Sequence, residues 1–570
     1  MSAGISAGTL GQDWAAAYLK AFVEKTSRGG RAGNGCKIHF LENDRFEGGV
    51  DMNSFIDHAE RDALRGVAHL LPERLRQIVD VIAAPVPPAP TERIPAPDDA
   101  AATRLSNIDH IVVVLLENRS FDHMLGYLSL PSSQGGRGRD DIDGLTGAEA
   151  NVDPSDNSSY SLNHLAETAF LGEAEDPDHS GASVDEQVNG GQMDGFVANF
   201  ARISQARAAK LGQAPPSPGM VMGYYDADDL PVYDHLAAEY CVVDRWFSSV
   251  PGATWPNRLY AVTGQAAGSR DDAMPPIYAL PSFVRYLDQH QVPWRWYSFD
   301  PATLRATDPA YRLGSHDHFA FVDQRKLSPE EVAIGKLTEQ GSFLDDVNNN
   351  NLAAVSWIDP HFKDLRVLGP NSDDDHPPSD VLAGQDLVLT IYHALSSSPS
   401  WSKTLLIVTY DEHGGFFDHV PPLAAVGDEQ EFQRLGVRVP AFLVSPLVAP
   451  GSSSTGIMGR DFHFDHTSLI KTILSRFCSD ASGQIPAMTP RVAAANHLGH
   501  LLIDSPGRDS VADYSGLSQQ MGSWNTGWEQ ARFQSPVAKG GPPAVLTEFQ
   551  TGFYTMARVP RQAGLPAGHP

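Results

Sequence analysis

The sequence has few cysteines and a deficit of basic residues. Its three cysteines, Cys36, Cys241 and Cys478, lie far apart in 570 residues and form no CxxC pair, which excludes a disulfide framework and a zinc knuckle. Lys and Arg number 42 against 70 Asp and Glu, so the net charge is −28. Most of the surface therefore repels polyanions, and nucleic-acid binding is disfavoured. A site for an anionic substrate needs a local basic or metal-bearing patch.

Long apolar runs and targeting features are also absent. The chain opens with MSAGISAGTLGQDW, which has no basic region followed by an apolar one, and nowhere do 18 consecutive apolar residues occur. We therefore predict no Sec signal peptide and no transmembrane helix. The location is left open between the cytoplasm, a secreted or periplasmic protein exported without a cleaved signal, and a chain that has lost its leader.

Composition and patterning divide the chain into four parts. Hydrophobic residues make up 41% and charged residues 20%, as in ordinary folded proteins. Residues 13–25 place aromatic side chains on one helical face, and residues 54–82 continue in helical style, whereas the six prolines between 85 and 97 predict a stiff extended segment. The predicted order is a helical appendage (1–84), a Pro-rich linker (85–103), a large main domain (104–505) and a C-terminal extension (506–570).

The main domain has the pattern of an α/β fold. Residues 107–116 (NIDHIVVVLL), 403–410 (KTLLIVTY) and 437–444 (VRVPAFLV) are β-branched apolar runs without alternation, which is typical of strands buried on both faces. Helical stretches such as 380–395 lie between them. We predict a large α/β sandwich with a mostly parallel sheet.

The first buried strand ends in ENRSFDH, residues 117–123. In an open parallel sheet, ligands bind beyond the carboxyl ends of the strands, so Glu117 and Asn118 are candidate ligands of a hard cation. The alternative is a helix N-cap formed by Asn118 or Ser120 beside solvated charges.

A second strand ends in DEHGGFFDH, residues 411–419. Five ionisable groups in nine residues are hard to explain as a surface, because Phe416 and Phe417 imply partial burial. Buried carboxylates such as those of Asp411 and Glu412 need a partner, which a metal supplies. The alternative is a charged turn with histidines nearby by chance.

A third segment, SSVPGATWPNRLYAVTG at residues 248–264, carries a candidate nucleophile. Thr254 follows a small-residue turn that leads into a helix, so we expect an exposed hydroxyl at a helix N-terminus, where backbone N–H groups favour an anion. A nearby metal would lower the hydroxyl pKa and make it a nucleophile toward phosphorus or sulfur. The alternative is an N-cap role.

These motifs, followed by FDHTSLIKTIL at residues 464–474, occur in a fixed order. Across about residues 104–500 the chain resembles the bacterial phosphoesterase family that contains phosphatidylcholine-hydrolysing phospholipases C and a respiratory-burst-inhibiting acid phosphatase. The resemblance implies an alkaline-phosphatase-like fold, a three-layer α/β/α sandwich with a mostly parallel central sheet. It also implies one divalent metal ion and a covalent phospho-enzyme on Ser or Thr.

Carried onto matching positions, the resemblance assigns the metal ligands Glu117, Asn118, Asp411 and Glu412, with Thr254 as nucleophile and fifth ligand. The oxygen-rich set favours Ca²⁺, Mg²⁺ or Mn²⁺ and does not select one.

Two branches of the family remain open. Thr254 and Glu412 look like the phospholipase branch, since the acid phosphatase branch has Ser and Asp at these positions. His413 points the other way, because the phospholipases tend to have Asn there.

The resemblance also places histidines around the phosphate. By order and approximate spacing, His179, His316 and His376 are the matching residues, with catalytic and substrate-binding roles; His318 competes with His316. His376 follows three aspartates that could hold its imidazole protonated, as a general acid requires. His466 opens a helical run and is interpreted as a cap or packing residue outside the site.

The predicted function is a metal-dependent phosphoric ester hydrolase of phospholipase C type that acts through phosphothreonine. The alternatives are an acid phosphatase acting on phosphomonoesters and, in another class, a catalytically inactive binding module on the same fold. A sulfatase is disfavoured, because no Cys/Ser-x-Pro-x-Arg motif occurs.

The expected partners are a phospholipid or a small phosphate ester and, transiently, a membrane surface; oligomeric state is left open. Four tryptophans, Trp246, Trp255, Trp294 and Trp296, could form a cation-binding box for choline. We expect them to belong to the core instead.

Overall fold

The computed structural model describes most of residues 86–521. The described residues are 86–165, 168, 175–272, 277–299, 302–312, 316–323, 341–362, 372–377, 379–427, 430–508, 510–517 and 519–521. The whole predicted helical appendage, 1–84, and most of the predicted C-terminal extension lie outside these residues.

Within the described residues, the largest sheet has eight strands. Its two longest strands consist of β-branched and leucine-rich runs in which nearly every side chain is buried, as expected for a sheet covered on both faces. The strands are β1 (His110–Leu116), β2 (Cys241–Val242), β3 (Trp294–Tyr297), β4 (Phe319–Ala320), β5 (Val355–Ile358), β6 (Thr404–Tyr410), β7 (Ala441–Val444) and β8 (Ser452–Ser453).

The strands are ordered β4-β3-β5-β1-β6-β7-β2-β8. Every neighbouring pair is parallel except the two pairs made by β7, which is antiparallel to both β6 and β2. β1 and β6 lie side by side at the centre, and Leu116 is aligned with Tyr410. The carboxyl ends of these two strands therefore meet at the same edge of the sheet.

Helices cover both faces of this sheet. The Tyr410 hydroxyl lies 3.1 Å from that of Tyr233 on one helix, whereas the next residue, Asp411, contacts Arg258 on another. Since successive residues of a strand point to opposite faces, the two helices lie on opposite sides. The predicted α/β fold with helical layers around a mostly parallel sheet is confirmed.

The α-helices of the described residues are mostly short. The two longest have 16 residues, and no helix in this part of the chain has the length and apolarity needed to cross a bilayer. They are α1 (Ala100–Leu105), α2 (Phe121–Leu125), α3 (Gly181–Val188), α4 (Phe196–Leu211), α5 (Pro231–Glu239), α6 (Thr254–Thr263), α7 (Val284–Gln289), α8 (Thr303–Thr307), α9 (Phe343–Asn348), α10 (Val381–Ser396), α11 (Ser454–Met458), α12 (Thr467–Phe477) and α13 (Pro490–Ala494).

In the described part of the chain, four two-stranded pairs lie outside the large sheet. One pair joins the predicted linker to the main domain and connects residues that are far apart in the sequence. The other three pairs are local or connect loops. The pairs are Arg93–Pro95 with Gln484–Pro486, Ala150–Asp153 with Ser158–Ser161, Asn163–His164 with Gly223–Tyr224, and Trp246–Phe247 with Phe464–Asp465. The domain boundaries themselves stay predictions.

The four tryptophans considered for a choline box are buried. Their exposed fractions are 0% for Trp246 and Trp255, 3% for Trp294 and 1% for Trp296. Trp296 stacks on Trp357 at a ring distance of 4.9 Å. The interpretation of these residues as core is confirmed.

Candidate functional site

The ends of β1 and β6 bring four of the predicted ligands together. Glu117 and Asn118 follow β1, Asp411 and Glu412 follow β6, and all four are fully buried. The backbone N–H of Asn118 donates to Asp411 Oδ1 at 3.1 Å. Two parallel strands in register thus place two carboxylate-bearing turns side by side.

The turn after β6 requires glycine. Gly414 has a φ of 63°, and a Cβ at this position would lie 2.1 Å from the carbonyl oxygen of Asn118. Only glycine tolerates both conditions. Its N–H donates to Glu412 Oε2 at 2.7 Å, so the tight turn also orients the Glu412 carboxylate.

A buried arginine connects the two strand ends. Arg258 Nε donates to Asp411 Oδ2 at 3.0 Å and lies 3.4 Å from Glu117 Oε1. Arg258 Nη2 donates to the carbonyl oxygens of Leu115 and Leu116, each at 3.1 Å. The sequence reasoning missed this residue, although its place in the GATWPNRLY segment marks it.

Thr254 is the first residue of α6, as the small-residue turn predicts. It lies four residues before Arg258, so the two side chains share one helix face, and that face carries the contacts with the carboxylates. The expected exposed hydroxyl is wrong for this structure, because Thr254 is only 1% exposed. Gly252 packs so closely on Arg270 that a Cβ would lie 2.2 Å from its carbonyl oxygen, which closes the turn over the helix start.

Two of the predicted histidines converge on these ligands. Asn118 Nδ2 donates to His179 Nε2 at 3.2 Å. His179 Nε2 also lies 3.8 Å from Glu412 Oε1. The rings of His179 and His376 are 6.1 Å apart, and both residues are buried. The structure therefore groups two imidazoles with the carboxylate and amide set.

The charge expected on His376 does not arise from its neighbouring aspartates. Burial, with a smaller contribution from His179, lowers the pKa of His376 to about 3, and its Nδ1–H donates to the Pro377 carbonyl oxygen at 2.6 Å. The Asp375 carboxylate faces away and accepts from the Tyr233 and Tyr410 hydroxyls. The side chains of the adjacent residues Asp375 and His376 therefore have different surroundings: two tyrosine hydroxyls for the carboxylate and His179 for the imidazole.

Asp374 is a second residue that the sequence reasoning missed. Its carbonyl oxygen accepts from the Glu117 N–H at 2.8 Å, which ties its loop to the end of β1. Its side-chain Oδ2 is buried without a hydrogen-bond partner, and burial raises its pKa well above the usual range. Only the run of three aspartates before His376 could have signalled it.

The remaining histidines have different positions. His318 stacks on Trp294 at 4.2 Å, and Trp294 begins β3 at the level of Ile111 near the start of β1. His318 therefore lies toward the amino ends of the strands, away from the ligands. The side chain of His316 lies outside the described residues, so its assignment stays a prediction.

His466 packs against the site from behind, as interpreted. Its Nε2–H donates to the Asp411 carbonyl oxygen at 2.6 Å, and Trp246 Nε1 donates to its Nδ1 at 3.2 Å. With both nitrogens engaged and the ring fully buried, His466 holds the backbone of a ligand residue.

The donor atoms at this edge fit a hard divalent cation. Glu117 Oε1 and Oε2, Asn118 Oδ1 and Glu412 Oε1 are buried without hydrogen-bond partners, an arrangement that costs free energy unless a cation is bound. Burial, together with the Asp411 carboxylate, raises the pKa of Glu117 well above its usual range. Burial and Glu412 raise that of Asp411 to about 7. A divalent ion would relieve this repulsion.

The last two ionisable residues of the second motif belong to a separate buried network. Fully buried Arg438 donates to Asp418 Oδ1 at 3.0 Å and Asp122 Oδ1 at 3.1 Å, and His419 Nδ1 lies 2.7 Å from Asp122 Oδ2. Burial lowers the pKa of His419, but Asp122 and hydrogen bonds to Asp122 and Asp143 outweigh it and raise the pKa to about 10.

Because of this network, we expect the stability of the folded protein to fall as the pH becomes alkaline. A raised folded-state pKa stabilises the protein fully below the unfolded value of about 6.5 and loses that stabilisation as pH rises through about 10. We expect the wild-type Tm to fall between pH 6.5 and 10 more steeply than that of His419→Gln. Thermal unfolding at a series of pH values measures this, with the exposed-histidine variant His393→Gln as control. Parallel Tm curves for His419→Gln and wild type would contradict the role of His419.

Comparison with known proteins gives consistent matches over this region. The model of the Phosphoesterase family matches residues 108–478. The chain is similar to non-specific phospholipase C6 of Arabidopsis thaliana, with 33% identity over 388 residues, covering 65% of this chain and 68% of the relative. It is similar to phospholipase C B of Mycobacterium tuberculosis, with 31% identity over 420 residues, covering 65% and 74%.

Among solved structures the similarity is more distant. The lipoteichoic acid synthase LtaP from Listeria monocytogenes matches with 11% identity and a TM-score of 0.35, covering 87% of this chain and 100% of that chain. A protein in the alkaline phosphatase superfamily from Vibrio parahaemolyticus matches with 11% identity and a TM-score of 0.29, covering 72% and 76%.

Proposed function

Because the chain belongs to the Phosphoesterase family and is thus a phosphoric ester hydrolase, we propose that it is a phospholipase C that cleaves the phosphodiester headgroups of phospholipids through a covalent phosphothreonine at Thr254. The observation that carries this proposal is the placement of Thr254 one helical turn before Arg258, whose guanidinium contacts Asp411 and lies beside Glu117. A hydroxyl at a helix N-terminus thus shares a face with a group that touches two carboxylates. Relatives named phospholipase C from plants and mycobacteria support the substrate class.

Five residues would hold the divalent ion: Glu117, Asn118, Thr254, Asp411 and Glu412. When bound, the ion supplies neutralisation of phosphate charge and lowers the pKa of the Thr254 hydroxyl. The identity of the ion among Ca²⁺, Mg²⁺ and Mn²⁺ is left to experiment, because the oxygen donors do not discriminate strongly.

The chain's own residues account for the remaining steps. Thr254 Oγ attacks phosphorus in line, so that a Thr254–phosphorus bond forms and the bond to the lipid alcohol breaks. His179 and His376, with His316 as predicted, bind the equatorial phosphate oxygens. The phosphate anion raises the pKa of His376 from its low value, so this imidazole can carry a proton to the departing alcohol. The proton that Thr254 loses replaces the one that His376 gives to the alcohol. Water then attacks phosphorus: its hydroxyl stays on the phosphorylated headgroup, and its other proton passes to Thr254 Oγ as the Thr254–phosphorus bond breaks.

His413 supports the geometry without selecting a branch. Its Nε2–H donates a hydrogen bond to Gln187 Oε1 at 2.9 Å, and its Nδ1 lies 3.4 Å from Glu412 Oε2. In the proposed enzyme His413 orients the Glu412 carboxylate, and headgroup preference depends on other residues.

Hydrolysis of p-nitrophenyl phosphorylcholine beside p-nitrophenyl phosphate, each with and without EDTA, tests the proposal. We expect faster turnover of the choline diester, because the relatives are named phospholipases C. We expect EDTA to abolish it, because a divalent ion would activate the hydroxyl nucleophile. Faster turnover of the monoester would identify an acid phosphatase instead. No turnover of either substrate after metal addition would favour the binding module.

A further inference from the structure

A second group of metal-ligating side chains lies outside the proposed active site. Asp99 precedes α1, His497 is the N-cap of a 3₁₀ helix, Leu498–Leu501, and His500 lies within that helix. The two residues are three positions apart, and their imidazole rings are 4.6 Å apart. One ligand atom from each of the three residues lies within 4.8 Å of the others.

Hydrogen bonding does not account for this arrangement. His497 is only 4% exposed, and its Nδ1 is buried without a hydrogen-bond partner. Its Nε2 is 4.0 Å from Asp99 Oδ1, beyond hydrogen-bonding distance. A buried imidazole nitrogen without a partner, such as His497 Nδ1, costs free energy unless a ligand compensates it.

The charge states suit metal binding at neutral pH. Burial, with a smaller contribution from His500, lowers the pKa of His497 to about 4, so its ring is neutral and offers a lone pair. The backbone N–H of Ala102 lowers the pKa of Asp99, which is therefore anionic. Metal ligation needs a neutral imidazole and an ionised carboxylate.

Two other clusters of histidines and aspartates in the described residues already have partners for their charged or hydrogen-bonding groups. The cluster of Asp122, Asp418 and His419 already contains the Arg438 guanidinium as its cation. In another cluster, His164 makes a 2.7 Å hydrogen bond to an aspartate. Asp99, in contrast, has one ion-pair contact within the described residues, with His497 at 4.0 Å.

We propose that Asp99, His497 and His500 bind one divalent transition-metal ion of the Zn²⁺ class. Two imidazoles and a carboxylate form a nitrogen-rich donor set that suits zinc, with water in the fourth position. Ligand atoms around tetrahedral zinc, at bond lengths of about 2.0–2.1 Å, are about 3.3 Å apart. The ligand atoms lie within 4.8 Å of one another, so these distances must shorten by up to about 1.5 Å through movement of the exposed Asp99 and half-buried His500 side chains.

The ion would join distant parts of the chain. α1 packs on the 3₁₀ helix so closely that a Cβ on Gly499 would lie 2.4 Å from the Ala101 carbonyl oxygen, and Arg104 Nη1 donates to the Leu502 carbonyl oxygen at 3.1 Å. Asp99 itself follows the Pro-rich segment. Zinc would therefore fasten the entry of the chain into the main domain to the end of that domain.

Equilibrium dialysis of the chelator-treated full chain against Zn²⁺ tests the site. The Glu117→Gln variant serves as background, because it weakens metal binding at the active site. On this background, His500→Gln is expected to bind one equivalent of Zn²⁺ fewer than the parent, whereas His393→Gln, at an exposed histidine elsewhere, is expected to bind as many as the parent. Equal Zn²⁺ stoichiometry in the His500→Gln and His393→Gln proteins would overturn the proposal.

Thermal unfolding separates loss of the ion from loss of the fold. Saturating Zn²⁺ is expected to raise the Tm of the parent by about 3 °C and to leave that of His500→Gln and Asp99→Asn unchanged, while all three proteins have the same Tm in EDTA. A zinc-dependent rise of equal size in the parent and both variants would refute the site. Hydrolytic activity of His500→Gln in the wild-type background is expected to equal that of wild type, which would distinguish this site from the proposed active site.

Discussion

Thr254→Ala is expected to lower kcat for the choline diester by at least about 10³-fold, because it removes the proposed nucleophile. Folding is expected to persist, since alanine is a good helix former and the preceding N-cap, Ala253, makes no side-chain capping bond. Steady-state turnover and thermal unfolding of the purified variant measure the two effects. Retention of more than a few per cent of the wild-type rate in the folded variant would exclude the covalent mechanism.

Two control variants narrow the interpretation. Thr263→Ala removes a second buried hydroxyl from the same helix, one that donates to the Leu259 carbonyl oxygen at 2.9 Å, and it is expected to retain activity. Thr254→Ser keeps a hydroxyl and is expected to retain part of it. Intact-mass spectrometry after acid quenching of turnover with the choline diester is expected to detect a phosphorylcholine adduct on wild type and Thr254→Ser, and none on Thr254→Ala.

Asp411→Asn and Glu117→Gln are each expected to lower metal occupancy at least tenfold at limiting metal, with a parallel loss of activity. Each substitution removes an anionic ligand from the group of buried donor oxygens, several of which have no hydrogen-bond partner. In Asp411→Asn the guanidinium of Arg258 also loses its closest carboxylate. Elemental analysis after dialysis, together with the dependence of kcat on metal concentration, measures the effect.

A matched control lies at the opposite ends of the same two strands. Asp109 precedes β1 and pairs with Lys403, just before β6, at 2.7 Å. Asp109→Asn removes a carboxylate from this exposed pair and is expected to leave metal content and kcat unchanged. Metal content equal to wild type in Asp411→Asn would refute the proposed ligand set.

The strands and their ends could be predicted from the sequence because the relevant signals are local. Uninterrupted β-branched runs mark β1 and β6, and polar residues directly after them mark the edge of the sheet. The parallel register of the two strands then fixes the proximity of Glu117 and Asp411 without further information.

Contacts that depend on tertiary structure could not be predicted in this way. Arg258 reaches the carboxylates from a helix on one face of the sheet, and no local pattern announces that contact. Asp375 and His376 are adjacent, yet one carboxylate faces two tyrosines and the imidazole faces the site. Sequence proximity therefore gave a wrong expectation for the charge on His376, as it did for the exposure of Thr254.

The pairing of β1 with β6 also affects when the proposed catalyst can exist. Asn118 and Asp411 are 293 positions apart, so their contact belongs to the high-contact-order class that forms only after a large loop closes. During synthesis the chain carries Glu117 and Asn118 long before the ribosome has released the residues after β6. The proposed headgroup hydrolysis therefore cannot begin on a partly synthesised chain, and the activity would be withheld until the residues after β6 have been made.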